Sequence, residues 1–414
     1  MTSFLKGSSF LLVSSRPTHR SSLRKVLCDL GAENQFIDAA SDFVQAKERL
    51  SKSGVNVVIT DEDIGEKFSS IDLLPLHEKN TPRSNDRLFI LMAADVSVFF
   101  KSEFTLRGGD LIISKPFTNA TFTEAFLEIV KIKNAMAPDQ KASLDIQDAL
   151  KANKKDEALR ILSSMKNPNS QSALFCKGLV YDSDQNFSAA YDAYTLAMAH
   201  KIDLPSLVNI VHTGVHIKKY RELGDVVERW VKDFPLHNKS VQNIARVVVY
   251  NQKFELFDTI SSNFSQKDFE DELVKIPLAA GLVMAGYAVL EVNKEKAIAY
   301  ALKGIEYSGF KPIILLKGLE VLVSAGATEE AEKIYQLLMA RAPYSEDRIL
   351  DVRIQALLFP KEKVLDKCLE LISKNTLDIH IFQVALNCSR DIGRDTRDLL
   401  VKAQKAFPEM NFAV

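Results

Sequence analysis

Cysteine is scarce in this chain of 414 residues, and its four copies lie far apart. Zinc sites and disulfide frameworks are recognised by closely spaced cysteines, and no C-x-x-C pair occurs here. The distribution therefore favours reduced, mostly buried thiols in a cytosolic protein over a metal or disulfide scaffold. The four are Cys28, Cys176, Cys368 and Cys388.

The sequence has no excess of either charge. Its 53 lysine and arginine residues balance 54 aspartate and glutamate residues, which gives a formal net charge of −1. Proteins that bind nucleic acid usually carry a basic excess, and proteins held on anionic membranes carry a polybasic run. Neither feature is present, so we expect neither nucleic acid nor a membrane among the partners.

Long apolar runs are also lacking. The run Phe10–Val13 is too short for the core of a signal peptide and has no cleavage site after it. The most apolar stretch, Ile276–Leu290, contains Pro277 and two glycines and falls short of the length needed to span a bilayer. We expect this stretch to form a buried helix, and we expect the protein to be cytoplasmic.

Catalytic motifs are missing as well. The chain has no nucleophile–histidine–acid arrangement, no glycine-rich phosphate loop and no paired-carboxylate motif. His212 and His216 are four residues apart, but the residue after the first histidine is Thr, where the H-E-x-x-H zinc pattern needs Glu. We therefore predict that the protein is not an enzyme and that these histidines hold no metal.

A chain of 414 residues exceeds what one compact core usually holds, so at least two domains are expected. Two parts of the chain do follow different sequence patterns. Up to about residue 131, short β-type runs alternate with stretches whose apolar residues recur every three or four positions. This alternation predicts a doubly wound parallel α/β sheet. The predicted strands are Phe10–Val13, Asn34–Ala39, Val55–Thr60, Leu88–Met92 and Asp110–Ser114.

The second part repeats a helical unit. From about residue 144 no strand pattern is found, and small or apolar residues recur where the second helix of each pair would begin. Their separations of 32, 33, 34, 40 and 34 residues lie close to a period of about 34. The positions are Ala158, Ala190, Leu223, Phe257, Ala297 and Ala331.

These patterns set the expected domain boundaries. We predict an α/β domain over residues 8–131, a linker over 132–143 that is marked by Pro138, and an all-α repeat domain over 144–410. An all-helical domain with accidental spacing is the alternative for the last part.

The helical part resembles the tetratricopeptide repeat (TPR) family. Residues 178–197 carry Gly-x-x-Tyr and then Ala-x-x-x-Tyr, and residues 331–343 carry Ala-x-x-x-Tyr and a final Pro. The resemblance implies a superhelical solenoid whose first helices line a groove for a peptide or helix of a partner protein. The candidate groove residues are Phe175, Asp182, His212, His216, Gln242, Arg246 and Tyr250.

The first part resembles the receiver domain of two-component response regulators, over roughly residues 8–131. Residues 107–117 match the last strand and its Lys-Pro loop, which contains Lys115, and residues 57–61 match the third strand, which ends in Asp61. The resemblance implies a CheY-like, flavodoxin-type fold in which this aspartate accepts a phosphoryl group. It also implies a Mg²⁺ ion held by acidic residues after the first strand, with the lysine pairing to the phosphoryl group.

Four positions depart from the receiver pattern. Ser14 and Ser15 stand where the acidic pair is expected, Met92 replaces a Thr or Ser, and Ile112 replaces an aromatic residue. Mg²⁺ prefers anionic oxygen, and a thioether cannot donate a hydrogen bond. We therefore predict a degenerate pseudo-receiver without a cofactor, in which Asp61 and the site lysine remain as a buried ion pair.

An active phosphoswitch is the alternative, and Mg²⁺ would be a cofactor only in that case. Glu62 and Asp63 follow Asp61 in the sequence and would have to supply the missing oxygen ligands.

Three phenylalanines, Phe99, Phe100 and Phe104, precede the last strand and exceed what one buried helix face needs. In receivers this helix belongs to the surface for partners and dimers, so the resemblance implies a contact patch. Packing on the sheet or on the helical repeats is the alternative.

Together these patterns predict a signalling adaptor of the two-component (phosphorelay) type. The pseudo-receiver would dock to a kinase, another receiver or its own solenoid, and the repeats would hold a second protein. A homodimer is a further alternative. The alternative is a phosphoaccepting response regulator with Asp61 phosphorylated and the solenoid as its output domain. An enzyme that uses the solenoid as a substrate arm has no supporting motif.

Overall fold

The chain, described here from a computed structural model, divides into two compact units. The first comprises Met1–Val247 with Asp258–Asp268, and the second comprises Val248–Phe257 with Phe269–Val414. The structure describes residues 5, 7–52, 54–65, 69–94, 98–264, 271–341, 347–374 and 377–412.

A five-stranded parallel sheet lies in the first unit. Its strand order is β2-β1-β3-β4-β5, which is the order of the flavodoxin-like doubly wound fold that includes CheY. The predicted fold class is therefore confirmed for this part of the chain. The strands are β1 Phe10–Val13, β2 Ile37–Ala40, β3 Val57–Asp61, β4 Leu88–Ala93 and β5 Leu111–Ser114.

Five helices cover the two faces of this sheet. Side chains alternate across a strand, so Leu11 and Leu12 of β1 belong to separate apolar clusters. The cluster around Leu12 includes residues of α1 and α5, whereas the cluster around Leu11 includes residues of α2, α3 and α4. The helices are α1 Pro17–Asp29, α2 Phe43–Lys52, α3 Leu74–Asn80, α4 Val98–Leu106 and α5 Asn119–Asn134.

Two predicted boundaries differ from the structure. Residues 34–36 form a short 3₁₀ turn, so the weak second strand begins only at Ile37. The segment predicted as a linker, 132–143, is helical except for residues 135–137. Pro138 marks the first residue of helix α6, a position where proline is favoured because its fixed φ suits a helix start.

Every described element after α5 is a helix. The helices that follow within residues 138–262 are α6 Pro138–Lys151, α7 Lys155–Ser164, α8 Gln171–Ser183, α9 Phe187–His200, α10 Leu204–His216, α11 Leu223–Asp233, α12 Asn238–Tyr250 and α13 Leu256–Ser262. Those within residues 272–406 are α14 Glu272–Val289, α15 Lys294–Tyr307, α16 Pro312–Ala325, α17 Thr328–Met339, α18 Arg348–Leu358, α19 Lys361–Ser373, α20 Ile379–Asp391 and α21 Arg397–Ala406.

The six predicted repeat positions all lie in the second helix of a pair. Each of these side chains is fully buried, and each occurs within the first four residues of its helix. Burial at this point is what a periodic packing contact requires. The helices concerned are α7, α9, α11, α13, α15 and α17.

A backbone turn also repeats between paired helices. A residue one or two positions after the end of the first helix takes a left-handed φ, and the next N–H donates to a carbonyl five residues earlier, as in a Schellman motif. The left-handed residues are Asn153, Gln185, Lys218, Gln252, Gly326 and Gly393. Their positions follow the sequence period, although the α14–α15 and α18–α19 connections have other conformations.

One described helix, α14, is long and apolar enough to cross a membrane by length and composition alone. It packs on α15 and α16, as expected for a buried helix. A Cβ atom added to Gly304 of α15 would lie 2.8 Å from the carbonyl oxygen of Ala279 and 2.7 Å from Val283, both in α14. Glycine therefore permits this close approach between helices.

Candidate functional site

The carboxyl edge of the parallel sheet brings two predicted site residues together. Asp61 is the last residue of β3 and is only 3% exposed, and Lys115 follows the end of β5. Parallel strands end at the same edge, where ligands of this fold class bind. Lys115 Nζ lies 2.5 Å from Asp61 Oδ1, so the two form the ion pair that the sequence predicted.

A third residue, His19, was missed by sequence reasoning. It lies in the first turn of α1, and its Nδ1 is 3.8 Å from Asp61 Oδ2. Each carboxylate oxygen of Asp61 therefore faces a basic side chain. A signal was available, because Pro17 marks the start of a helix directly after β1 and so places this turn over the carboxyl edge.

The two serines occupy the positions where the resemblance implies an acidic pair. Ser14 is buried, and its hydroxyl oxygen accepts from the backbone N–H of Arg16 at 3.1 Å. The guanidinium of Arg20 donates to the carbonyl oxygen of Ser14. Ser15 is exposed. The edge of β1 is therefore bordered by arginines and hydroxyls.

Among the described residues, the carboxylates near Asp61 do not form a Mg²⁺ site. Glu62 Oε2 accepts from the backbone N–H of Ala94 at 3.4 Å, and Asp63 Oδ1 accepts from that of Gly65 at 3.4 Å. Within the described ranges, no group of three or more metal-binding side chains occurs. Mg²⁺ is usually held by carboxylate oxygens in strict octahedral geometry, and here the buried carboxylate of Asp61 contacts an ammonium group.

The other two departures from the receiver pattern are packing residues. Met92 is fully buried in the cluster shared with α1 and α5. Ile112 is half-buried and packs against the cluster on the opposite face of the sheet. Neither side chain can donate a hydrogen bond to an anion at the carboxyl edge.

A cavity of about 450 Å³ opens between the start of α1 and the β5–α5 loop. Its described polar lining consists of Arg16, His19, Ser22, Lys115 and Asn119. Apolar side chains, among them Phe117, form the rest of the wall. The cavity thus borders the ion pair at its Lys115 side.

The predicted phenylalanine patch is not supported at Phe104. This side chain is 1% exposed, packs on Phe89 with 6.0 Å between ring centroids, and lies under Gly109, where a Cβ atom would be 2.3 Å from the ring. Phe104 is therefore a core residue. Phe100 is half-buried against the same cluster, and the side chain of Phe99 lies outside the described part of the chain.

Helix α4 instead contacts the helical part of the first unit through Glu103. Its Oε2 lies 2.8 Å from Nε2 of His237, which precedes α12, and its Oε1 lies 2.5 Å from Nε of Arg107. Burial raises the pKa of Glu103, but His237 and Arg107 outweigh this effect, so the pKa lies below its ordinary value. The carboxylate is therefore held charged in a mostly buried contact.

A second contact joins the turn before β4 to α6. The backbone N–H and the hydroxyl of Ser84 donate to Asp148 at 2.6 and 2.7 Å, and the Asn85 amide donates to Asp145 at 3.0 Å. Hydrogen bonds to carboxylates are among the stronger ones in proteins. Within the first unit, the receiver-like domain thus packs against the first helical pair.

Three of the predicted groove residues come together. Burial raises the pKa of Asp182, while the nearby charges of His212 and His216 lower it, with a net upward shift. Burial also lowers the pKa of His212. The two histidine rings are 4.6 Å apart, and Phe187, which sequence reasoning missed, stacks on His216 at 4.3 Å.

The other four groove candidates lie elsewhere. Phe175 is half-buried and packs on Tyr194 at 5.6 Å between ring centroids. Gln242, Arg246 and Tyr250 are exposed along α12.

No family model matches this chain, and no curated protein matches it. Among solved structures, the chain is similar to the chemotaxis response regulator CheY4 of Vibrio cholerae, with 18% identity over 30% of this chain and 98% of that one, and a TM-score of 0.27. It is also similar to a response regulator receiver domain from Clostridium thermocellum, with 20% identity over 31% and 97% of the two chains and a TM-score of 0.26. Full-length FixJ from B. japonicum matches with 15% identity over 47% and 98%, at a TM-score of 0.27.

Proposed function

We propose that this protein is a non-enzymatic, cytoplasmic signalling adaptor of the two-component type. Its pseudo-receiver acts as a docking domain, and its helical repeats form a TPR-like solenoid that binds a partner protein. The observation that carries the proposal lies after β1, where phosphoryl transfer needs an acidic pair: the Ser14 hydroxyl is bonded to the backbone N–H of Arg16, and Ser15 is exposed.

Phosphoryl transfer gives the physical reason. An anionic phosphodonor approaches an anionic aspartate only when a metal ion neutralises charge and orients both groups. Here Ser14 is bonded to backbone, and Asp61 is engaged by basic side chains. The arrangement supports a stable ion pair better than it supports a reactive carboxylate.

The helical packing supports the solenoid. The first helices of successive pairs contact each other, as in α6–α8, α14–α16, α16–α18 and α18–α20. Stacked first helices form a continuous face in repeat proteins, and such faces bind proteins or peptides. The repeated turn and the buried anchor residues favour the same architecture.

The contacts of α4 and of the turn before β4 support docking within the chain. Glu103 is paired with His237, and Ser84 is bonded to Asp148, so two surfaces of the pseudo-receiver are engaged by the protein's own repeats. Among the three docking partners that the sequence leaves open, these contacts favour the solenoid.

A phosphoaccepting response regulator is the second candidate. The observation that favours it is the placement of Asp61 beside Lys115 at the carboxyl edge, as receiver chemistry requires.

Incubation of the full chain with acetyl phosphate and Mg²⁺ separates the two candidates. We expect intact-mass measurements to find no more acid-labile phosphoryl adduct on the wild-type chain than on the Asp61→Asn variant. An adduct on the wild-type chain that disappears in Asp61→Asn would replace the adaptor with the response regulator.

Partner capture from cell extract tests the solenoid. We expect Arg246→Ala, on first helix α12, to weaken capture of the main partner, and Arg229→Ala, on second helix α11, to leave it unchanged. Both arginines are exposed. Equal losses in the two variants would contradict a groove lined by first helices.

A further inference from the structure

Among the described residues, the cavity beside Lys115 is lined by basic side chains and by no acidic ones. Arg16, His19 and Lys115 contribute to its described wall, and the carboxylate of Asp61 already contacts Lys115. We propose that this cavity binds a small organic phosphate with an aromatic or apolar body. This inference rests on the proposed pseudo-receiver, because the same edge would otherwise carry out phosphoryl transfer.

The charge balance favours an anion. Arg16 and Lys115 are permanently cationic at neutral pH, and Asp61 cancels one of these charges, so at least one positive charge remains. Phosphate monoesters carry between one and two negative charges near neutral pH, which matches this balance.

Donor groups remain available on these side chains. Among the described residues, Arg16 makes no side-chain hydrogen bond or ion pair. Lys115 Nζ has three N–H donors and is a quarter exposed, so the contact with Asp61 leaves donors that can face the cavity. Guanidinium and ammonium groups are the usual partners of phosphate in proteins.

Asn119 adds a neutral donor. The hydroxyl of Ser22 donates to Asn119 Oδ1 at 3.0 Å, which leaves the amide N–H groups of Asn119 to donate elsewhere. The side chain is exposed and belongs to the first residue of α5.

The remaining wall suits an apolar body. Leu23 is buried, and Phe117 is half-buried and packs on Phe122 with 6.1 Å between ring centroids. Pro116 completes this side of the cavity. A volume of about 450 Å³ lies within the range of small-molecule sites, which is roughly 300–1,000 Å³. The cavity is therefore larger than an inorganic phosphate needs.

Titration calorimetry of the full chain in EDTA tests the proposal, with phenyl phosphate as the probe. We expect saturable binding that is about tenfold tighter than that of inorganic phosphate, because only the ester contacts the apolar wall. Benzoate should bind more weakly than phenyl phosphate, since it carries a single charge.

Two variants that each remove one positive charge, one inside the cavity and one outside it, sharpen the test. Arg16→Gln should weaken phenyl phosphate binding about tenfold, because it removes a charged hydrogen bond. Lys25→Gln, on an exposed residue of α1 outside the cavity, should leave the affinity unchanged. Asp61→Asn should tighten binding, since it removes the nearby negative charge and releases Lys115.

The proposal is overturned if phenyl phosphate shows no saturation at millimolar concentrations, if Arg16→Gln and Lys25→Gln weaken binding equally, or if benzoate binds more tightly. Binding that appears only when Mg²⁺ replaces EDTA, and that disappears in Asp61→Asn, would instead overturn the pseudo-receiver. Failure of the inference alone would leave the acetyl phosphate result unchanged, so the two failures are distinguishable.

Discussion

The carboxyl edge of the sheet and the turns between paired helices both keep a geometry although some of their residues are not the types that usually accompany it. At the edge, Asp61 and Lys115 remain in contact although the expected acidic pair is replaced by serines. At the turns, the left-handed conformation recurs although Gln185 and Lys218 stand where glycine is favoured. The backbone pattern is retained in both regions.

The consequences differ because the two geometries depend on different kinds of energy. A left-handed non-glycine residue costs about 1 kcal/mol, which the packing of two helices easily offsets. A metal site depends on the charge of each ligand, and a hydroxyl does not replace a carboxylate there. A fold thus tolerates exchanges that a catalytic site does not.

The largest expected effect tests the ion pair at the carboxyl edge. Lys115→Met leaves the carboxylate of Asp61 buried without its closest cation, so the free energy of unfolding should fall by about 2–4 kcal/mol. Asp61→Asn should cost less than about 1 kcal/mol, because Lys115 is a quarter exposed and can reach water. Urea unfolding measures both, and equal losses would contradict a structural ion pair.

The next effect tests close packing between the two helices of a pair. Gly304→Ala places a methyl group against the Ala279 carbonyl, so we expect a loss of about 1–3 kcal/mol. Gly326→Ala, where no atom lies within 4 Å of the added carbon, should cost only the backbone strain of about 1 kcal/mol. The shift of the urea midpoint compares the two variants, and a larger loss at Gly326 would reverse the interpretation.

A pH effect tests the core of the receiver-like domain away from the edge. Burial lowers the pKa of His77 from 6.5 to about 4, and its Nε2 lies 2.7 Å from the Val55 carbonyl oxygen. The folded state therefore disfavours the charged form, so stability is full above pH 6.5 and falls as the pH drops towards 4.

The limiting slope of this loss is about 1.4 kcal/mol per pH unit. We expect the difference in unfolding free energy between wild type and His77→Gln to change over that window. A difference that is constant with pH would show that His77 is not buried in its neutral form.

The smallest effect tests the repeated turn. Gln252→Gly should stabilise the protein by about 0.5–1 kcal/mol, because its φ of 56° is easier for glycine. Gln336→Gly, on an exposed position inside α17, should destabilise it by a similar amount. Both glutamines lie in the second unit, so one unfolding transition compares them, and changes of the same sign would contradict the left-handed turn.

Much of the fold was predictable from the sequence because burial dominates it. Strands covered on both faces appear as continuous apolar runs, and β3 and β4 were found within two residues of their ends. The repeat positions were predictable because a fully buried contact such as Ala190 restricts the residue type. The repeated turn was not, since Gln185, Lys218 and Gln252 are common surface residue types with no turn signal of their own.

The candidate site was predictable only where one residue type defines a role. Asp61 and Lys115 stand in recognisable motifs, whereas His19 has no such motif and depends on how α1 is placed. Contacts such as that of Glu103 with His237 join residues more than a hundred positions apart, and no local pattern encodes them. Of the two roles that the sequence left open for Phe104, the structure shows packing on the sheet, where Gly109 makes room for its ring.

Calorimetric titration of the full chain with Mg²⁺ and beryllofluoride, a mimic of the phosphoryl group, is the most direct test of the pseudo-receiver. An intact receiver domain serves as the positive control. We expect no saturable heat, because the oxygens of Asp61 face Lys115 and His19 and no second carboxylate stands after β1. Saturable binding that is lost in Asp61→Asn would show that the edge still assembles a metal-dependent phosphoacceptor.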